Sequence, residues 1–276
     1  MNALSDPKII LNLEVYSDAI CPWCYIGKRR LEKAQRILGE RYELRVIWRP
    51  FELNPSMPRE GMDRKAYRSA KFGSWAKSQA LDAEVAKEGA SEGLTFAHAK
   101  IERTPNTFDS HRLVWLAGTQ GKQDTVVEAI FRAYFVQGKD IGDRSVLVEI
   151  AATAGLDRDR VARFLASDEG RAEVREEEAE AQGLGLRGVP LFVLNGKYVT
   201  SGAADVCALV ATLKASGRVR GIVLAACIVL NQRRILNECG PGMGDVFRKP
   251  KHTKYGVCSV TPKTPNLKSD ADRRDR

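Results

Sequence analysis

The sequence lacks any long apolar run. Its longest uninterrupted one, from Ile222 to Leu230, has nine residues, whereas a helix that spans a bilayer needs about 20. The first eight residues also lack the basic start, apolar stretch and small-residue cleavage site of a secretory signal. We therefore expect a cytoplasmic protein that has no membrane partner.

Only one pair of cysteines, Cys21 and Cys24, is closely spaced among the six in the chain. A structural disulfide framework is not expected in a reducing compartment, so the pair indicates redox or metal chemistry. A four-ligand zinc site would need further ligands at matching spacing. Cys239, His252 and Cys258 are spaced unlike the common zinc templates, so we expect no bound metal.

Most of the chain has no excess of positive or negative side chains, although the net charge of the whole chain is +9. Residues 1–217 hold 31 Lys and Arg against 30 Asp and Glu, whereas residues 218–276 hold 13 against 5. The positive charge belongs to a basic C-terminal extension, 218–276. We expect it to be partly disordered, because its last part is rich in Gly, Pro, Lys and Arg without apolar periodicity. A nucleic-acid partner is not expected.

The order of predicted elements indicates the fold. Residues 9–16 and 43–48 are predicted strands, and 24–38 between them is a predicted amphipathic helix, which implies two parallel strands joined by a right-handed crossover. Residues 62–182 are predicted to be mostly helical. The candidate helices there are 62–91, 109–118, 125–137, 145–154 and 158–182.

A β-hairpin and a helix complete the pattern. Residues 189–194 are a predicted strand, Asn195-Gly196 is a strong hairpin-turn signal, and 203–215 is a predicted last helix. This order predicts an α/β protein with a thioredoxin-like fold and an inserted all-helical domain. The thioredoxin-like domain is expected at 8–60 and 184–217, and the inserted domain at 61–183.

The Cys21-Pro22-Trp23-Cys24 motif lies between a predicted strand and the first turn of a predicted helix. Unpaired N–H groups and the helix dipole favour an anion there, so Cys21 is expected to have a lowered pKa and to attack as the more exposed thiolate. Cys24, one turn further on, would be more buried and would resolve the mixed disulfide. Pro22 suits the start of a helix, and Trp23 supplies an apolar contact surface. Half a zinc site and an inert buried pair are the alternatives.

Val189-Pro190 opens the third predicted strand. In thioredoxin folds a cis-proline at this position packs beside the redox pair, and the residue before it offers its backbone to a substrate chain. A trans bond is more common before proline in general. Together with the motif upstream, however, the position predicts a cis bond and a substrate-binding role for Val189 and Pro190.

Several segments resemble the DsbA-like thioredoxin family, in particular its FrnE-like branch, which is related to 2-hydroxychromene-2-carboxylate isomerases. The segments are 17–18, 21–30, 48–55, 103–107, 111–112, 133–135, 140–143, 188–190 and 201–202. The resemblance covers about residues 8–205. It implies disulfide exchange on proteins, with Cys21 as nucleophile, Cys24 as resolving thiol and Pro190 as cis-proline. The isomerases usually have serine at position 21 and use glutathione, so a dithiol here favours redox exchange.

Three other features carry weaker signals. Gly183–Gly188 matches a dinucleotide-binding pattern, but a predicted helix precedes it and a strand follows, the reverse of what that site requires. His98 and His111 are candidate acid–base groups, although disulfide exchange needs no histidine. Residues 28–30 are basic. They could stabilise a thiolate, or they could simply belong to an exposed helix face.

Three functions remain open from the sequence. The leading one is a protein thiol–disulfide oxidoreductase without a tightly bound cofactor, with glutathione or another thiol as a redox partner. The second is a glutathione-dependent isomerase or transferase of the 2-hydroxychromene-2-carboxylate isomerase type. The third is a non-catalytic binding module whose basic extension docks on an acidic partner.

Overall fold

The computed structural model of the chain describes residues 8–218 and 258–259. A four-stranded sheet lies at its centre, in the order β2 (Tyr42–Pro50), β1 (Ile9–Ser17), β6 (Leu191–Leu194) and β7 (Lys197–Ser201). β1 and β2 are parallel, and the other pairs are antiparallel. The sheet confirms the predicted parallel pair and the hairpin.

Local sequence explains these strands. Leu11, Leu13 and Val15 alternate with less buried residues and point into the core, which is the period of a strand. In the β6–β7 hairpin Asn195 and Gly196 both have positive φ, 49° and 71°. Asparagine and glycine tolerate that backbone best, so the dipeptide fixes the turn.

Two helices pack close to the sheet. Helix α1 (Pro22–Leu38) connects the parallel strands β1 and β2, and α9 (Val206–Arg218) follows the hairpin. α9 contacts both α1 and β1. Leu31, Ala34 and Leu38 are buried along α1, at the spacing of one helical face.

The segment between β2 and β6 is mostly helical, as predicted. Its elements are β3 (Met62–Asp63), α2 (Arg64–Phe72), α3 (Trp75–Ser91), a 3-10 turn (His98–Lys100), β4 (Arg103–Thr104), α4 (Phe108–Gly118), α5 (Gln123–Phe135), α6 (Arg144–Thr153), α7 (Arg158–Ala166), α8 (Arg171–Gly183) and β5 (Gly188–Val189).

Three details of this segment differ from the prediction. The helix expected at 62–91 breaks at Gly73, which has a φ of 90°, and Ser74 then caps α3 through a bond from the Lys77 N–H. The helix expected at 158–182 breaks ahead of Gly170, whose φ is 74°. A positive φ interrupts an α-helix whatever the apolar periodicity on either side. The segment is also not all-helical, because β3 pairs antiparallel with β4.

Sheet and inserted helices share one hydrophobic core. The buried cluster runs continuously through both, and α4, α5 and α8 contact β2. The boundaries expected at 61 and 184 remain predictions. No helix in the described part of the chain is long and apolar enough to cross a membrane.

Most of the C-terminal extension, 219–257 and 260–276, lies outside the described residues. The partial disorder expected there therefore stays a prediction. Two residues of the extension are described. Cys258–Ser259 form a short strand, β8, which pairs antiparallel with β5.

Candidate active site

The β1–α1 junction presents the cysteine motif as predicted. Cys21 is the N-cap of α1 with extended backbone angles, φ −90° and ψ 110°, and Pro22 is the first helical residue. The Cys21 carbonyl accepts bonds from the N–H groups of Cys24 and Tyr25, at 3.0 and 3.4 Å. The first turn contains no acidic residue. The positive end of the helix dipole therefore acts on Cys21 without a neighbouring carboxylate on that turn.

The Cys21 thiol lies against the backbone of β5. Its Sγ atom is 3.7 Å from the carbonyl oxygen of Val189. The Val189–Pro190 peptide bond is cis, which confirms the isomer predicted from sequence. The carbonyl of Pro190 accepts a bond of 2.8 Å from the Gly202 N–H, which ties it to the end of β7. The role of Val189 and Pro190 in substrate binding remains a prediction.

Gly27 allows α1 to approach Pro190 closely. A Cβ atom at Gly27 would lie 3.3 Å from Cγ of Pro190 and 3.4 Å from the ring of Phe192. The first of these is tighter than most real Cβ contacts, so a larger residue would displace its neighbours by a few tenths of an ångström. Gly27 was part of the family resemblance, but its steric role becomes visible only in the fold.

The expected difference in exposure between the two cysteines is wrong. Cys21 is 0% exposed and Cys24 is 1% exposed. The Cys21 thiol is enclosed by the fold and faces the carbonyl of Val189. The two thiols are distinguished instead by position, since Cys21 is the N-cap and Cys24 lies within the helix.

A buried aspartate–histidine pair supports the loop that leads to Cys21. The Asp18 carboxylate accepts bonds from the N–H groups of Leu53 (2.6 Å) and Ile20 (3.4 Å). Nε2 of His111 lies 3.6 Å from Oδ1 of Asp18. Burial lowers the pKa of His111, but the Asp18 carboxylate outweighs it, so that the pKa lies above its usual value. His111 therefore acts on the loop through Asp18.

Next to this pair lies a second buried acidic group. Glu52 and Glu178 both contact Nη1 of Arg175, at 2.6 and 2.7 Å. One oxygen of each carboxylate is buried without a hydrogen-bond partner. Burial and the charge of Glu178 raise the pKa of Glu52 to about 7, although His111 and Arg175 oppose the shift. Glu52 is thus an acid that titrates near neutral pH.

The basic residues 28–30 do not point to the thiol. Lys28 lies 3.1 Å from Asp124, and Arg29 pairs with Glu128, which joins α1 to α5. Arg30 pairs with Glu88 of α3 and with Glu92, the residue that follows α3. These contacts link α1 to neighbouring elements. They favour a structural role for residues 28–30 over stabilisation of a thiolate.

A cavity of about 410 Å³ adjoins the motif and is lined in part by Pro22 and Trp23. It lies between the β1–α1 junction and the inserted helices. Its cationic side chains are Arg64, Arg68 and Lys71, and its aromatic ones are Trp23, Tyr67, Phe72, Tyr134 and Phe135. The two arginines each lie 2.7 Å from Asp82, which partly neutralises them. No sequence pattern indicates this cavity, because its residues come from separate elements.

His98 lies in the wall of the same cavity and stacks on Phe96 with ring centroids 5.2 Å apart. Burial lowers the pKa of His98, and Arg64 and Arg68 act in the same direction against Asp82. Within residues 8–218 and 258–259 no group of three or more His, Cys, Asp or Glu side chains converges as a metal site. Cys239 and His252, considered above as zinc ligands, lie outside the described residues.

Comparison with known structures supports this architecture. A crystal structure of a probable DsbA oxidoreductase from Streptomyces coelicolor is 35% identical to the chain with a TM-score of 0.71, and the match covers 78% of this chain and 93% of that one. A 2-hydroxychromene-2-carboxylate isomerase structure is 18% identical with a TM-score of 0.57, over 82% of this chain and 98% of that one. The second likeness concerns the fold alone.

Comparison of sequences gives the same family. The uncharacterized protein YwbO of Bacillus subtilis is 29% identical over 198 residues, which cover 70% of this chain and 91% of YwbO. The family model of the DSBA-like thioredoxin domain matches residues 12–214. These matches confirm the α/β, thioredoxin-like fold class predicted from the order of elements. The chain belongs to the DsbA-like thioredoxin family.

Proposed function

We propose that the chain is a thiol–disulfide oxidoreductase that exchanges disulfides with protein substrates through Cys21 and Cys24. The observation that carries this proposal is the position of Cys21, at the N-terminus of α1 with its sulfur 3.7 Å from the Val189 carbonyl. A helix N-terminus stabilises a thiolate, which is the form that attacks a disulfide. A reducing, cytoplasmic setting with glutathione as a redox partner fits this chemistry.

The two cysteines have different parts in the exchange. The Cys21 thiolate attacks one sulfur of a substrate disulfide, which breaks that S–S bond and leaves the other substrate sulfur as a thiolate. Cys24 then attacks Sγ of Cys21 in the mixed disulfide and releases the second substrate sulfur. The substrate is reduced by two electrons, and the Cys21–Cys24 pair is oxidised by two.

Reduction of insulin disulfides with dithiothreitol as reductant tests the assignment. Cys21→Ser is expected to reduce the rate to the uncatalysed level. Cys24→Ala is expected to trap a mixed disulfide with insulin when dithiothreitol is left out, because dithiothreitol would itself resolve that bond. Cys207→Ser, which removes a cysteine of α9, is the matched control and is expected to retain the wild-type rate. An unchanged rate in Cys21→Ser would refute the proposal.

The cavity favours one second candidate, a glutathione-dependent isomerase or transferase. It has the size of a small-molecule site. Its three cationic side chains, Arg64, Arg68 and Lys71, outnumber the acidic Asp82 and Glu84 that also line it, so a small anionic ligand suits it. This function predicts tight binding to immobilised glutathione and activity that survives Cys24→Ala. Loss of binding in Lys71→Met, with Lys65→Met as an exposed control on the same helix, would assign the ligand to the cavity.

A further inference from the structure

A tight turn joins the buried Asp18–His111 pair to the nucleophile. The Cys21 N–H donates to the carbonyl of Asp18 at 3.0 Å, which closes a four-residue turn whose end Cα atoms lie within about 7 Å of each other. Asp18 and Cys21 are both 0% exposed. Charges interact more strongly in a protein interior than in water, so the Asp18 carboxylate acts on the charge of the Cys21 thiolate.

The charge of Asp18 alone works against that thiolate. The N-terminal end of α1 favours an anion at Cys21, whereas a like charge nearby disfavours one. A positive group beside Asp18 removes the opposition, and Nε2 of His111 lies 3.6 Å from its Oδ1 atom. The charge state of His111 therefore bears on the reacting sulfur, although His111 belongs to a different element.

The surroundings of His111 favour its charged form. Burial lowers its pKa, but the carboxylates of Asp18, Glu178 and Glu52 outweigh burial. Arg175 of α8 bridges the two glutamates. When His111 and Glu52 both carry a proton, the two positive side chains of this cluster face two negative ones. When both protons are lost, Arg175 alone faces three carboxylates, so the cluster becomes an obstacle to a further negative charge at Cys21.

A small cavity connects His111 with partly exposed groups. Its volume is about 30 Å³, which is large enough to admit water, and Ser17, Arg49 and Glu177 are among the residues that line it. Arg49 pairs with Glu177 and with Glu14, at 2.8 Å each, and these three side chains are 21–26% exposed. A proton can therefore exchange between solvent and His111 although the ring itself is buried.

We propose that His111 is a positioning residue for disulfide exchange: its protonated ring cancels the charge of Asp18 and so stabilises the Cys21 thiolate. This inference rests on the proposed redox function. When Cys21 ionises, its proton passes to solvent, and the new negative charge holds the His111 proton more firmly. When Cys21 enters a disulfide, that charge disappears and the proton is held less firmly. Linkage makes the two effects equal in size.

The pH dependence of Cys21 alkylation by iodoacetamide in the full chain tests the proposal. Only the thiolate reacts, so the rate rises with pH around a midpoint, and a constant barrier to access leaves that midpoint unchanged. All variants carry Cys24→Ala, so that Cys21 is the one cysteine of tryptic peptide 9–28 and mass spectrometry follows it there. His111→Gln is expected to raise the midpoint by about 1 pH unit, because Asp18 then lacks its counter-charge.

Adding Asp18→Asn to His111→Gln separates charge from structure. Neither charge is present in this double variant, so the midpoint should return to near its wild-type value. The matched control adds Asp157→Asn to His111→Gln instead, because Asp157 is the exposed N-cap of α7, and the midpoint should stay raised. A purely structural role of His111 predicts the opposite, since the double variant loses more native contacts than His111→Gln alone.

The reciprocal measurement needs no change at position 111, so it holds even where His111→Gln does not fold. The chain has three histidines, and NMR titration of labelled histidine follows each of them, with His98→Gln and His252→Gln assigning the other two signals. The pKa of His111 should be about 1 pH unit lower in the oxidised chain, which has no Cys21 thiolate, than in the reduced chain.

Three results would overturn the proposal: an unchanged alkylation midpoint in His111→Gln, a raised midpoint that Asp18→Asn does not restore, or an equal pKa of His111 in both redox states. If insulin reduction still depends on Cys21 in that case, only this inference has failed and the proposed function stands. If insulin reduction does not depend on Cys21, the proposed function itself has failed.

Discussion

At the scale of single residues, the site depends on two close approaches to β5. The Cys21 sulfur lies against the carbonyl of Val189, and Gly27 lets α1 come within van der Waals distance of Pro190. The first contact concerns the reacting atom. The contact of Gly27 with Pro190 sets the position of that atom. Cys21 and Gly27 belong to the same rigid helix end, so a shift of one moves the other relative to β5.

Gly27→Ala is expected to reduce disulfide exchange without unfolding the protein. The added methyl group meets Pro190 at 3.3 Å and must displace it by a few tenths of an ångström. Misplacement of reacting groups by that amount should lower kcat/KM for insulin reduction about 3- to 10-fold. Alanine also has the higher helix propensity, which offsets the crowding, so the free energy of unfolding should change by less than about 1 kcal/mol.

Gly183→Ala is the matched control, because a Cβ atom at this helical glycine has nothing within 4 Å. It should keep the wild-type kcat/KM and leave stability unchanged or slightly higher. Equal activity of the Gly27 and Gly183 variants would show that the approach of α1 to Pro190 has no effect on catalysis.

At the scale of elements, the β1–α1 connection is held by a buried carboxylate. Asp18 is 0% exposed, accepts two backbone bonds and lies 3.6 Å from Nε2 of His111. Asp18→Asn removes the charge that His111 faces. Without the carboxylate His111 loses its proton, so the stabilisation from this pair disappears, and we expect a loss of about 2 kcal/mol in the free energy of unfolding, the scale of a hydrogen bond to a charged group.

Urea unfolding measures that loss, with Asp157→Asn as the control. Asp157 is the exposed N-cap of α7, where its side chain accepts a bond from the Arg160 N–H. Asparagine caps a helix about as well as aspartate, so the control should change stability by less than about 0.5 kcal/mol. If both variants behave alike, the His111–Asp18 pair contributes no stability.

The elements also show what the sequence can predict. The β1–α1–β2 unit and the β6–β7 hairpin were predictable because their signals are local: alternation at Leu11 and Leu13, helical spacing in α1 and the Asn195-Gly196 turn. The break at Gly73 was missed because apolar periodicity continues on both sides. The β5–β8 pairing and the burial of Cys21 were missed because they depend on residues that are distant in the chain.

At the scale of the whole molecule, sheet and inserted helices meet around a shared set of buried ionisable groups. Asp18 follows β1, Glu52 follows β2, His111 is on α4, and Arg175 and Glu178 are on α8. No sequence pattern indicates such a cluster, since each member comes from a different segment or an unremarkable helix face. The cluster exists only when the two parts of the fold are joined, so it reports on their packing.

The pH dependence of stability should reveal Glu52. Its pKa is raised to about 7 in the folded chain, mainly by burial and by the charge of Glu178, whereas an unfolded chain has a glutamate pKa near 4.3. At pH values between these two pKa values, Glu52 has already lost its proton in the unfolded chain but retains it in the folded chain. The contribution of Glu52 to the free energy of unfolding is therefore greatest below about pH 4, and it is lost as pH rises through about 7.

Glu52→Gln removes that titration. The difference in the free energy of unfolding between this variant and the wild type should shift in favour of the variant by up to about 3 kcal/mol from pH 4 to pH 8. Comparing two proteins at each pH cancels the titrating groups that do not interact with Glu52, such as His98, whose lowered pKa acts in the opposite direction. His111 does interact with Glu52, so its pKa is raised less in the variant, which adds to the drift in the same direction. Glu173→Gln, an exposed change on α8, should show no such drift. A constant difference for Glu52→Gln would mean that Glu52 is ionised at pH 5 as in an unfolded chain, and that sheet and inserted helices do not enclose it.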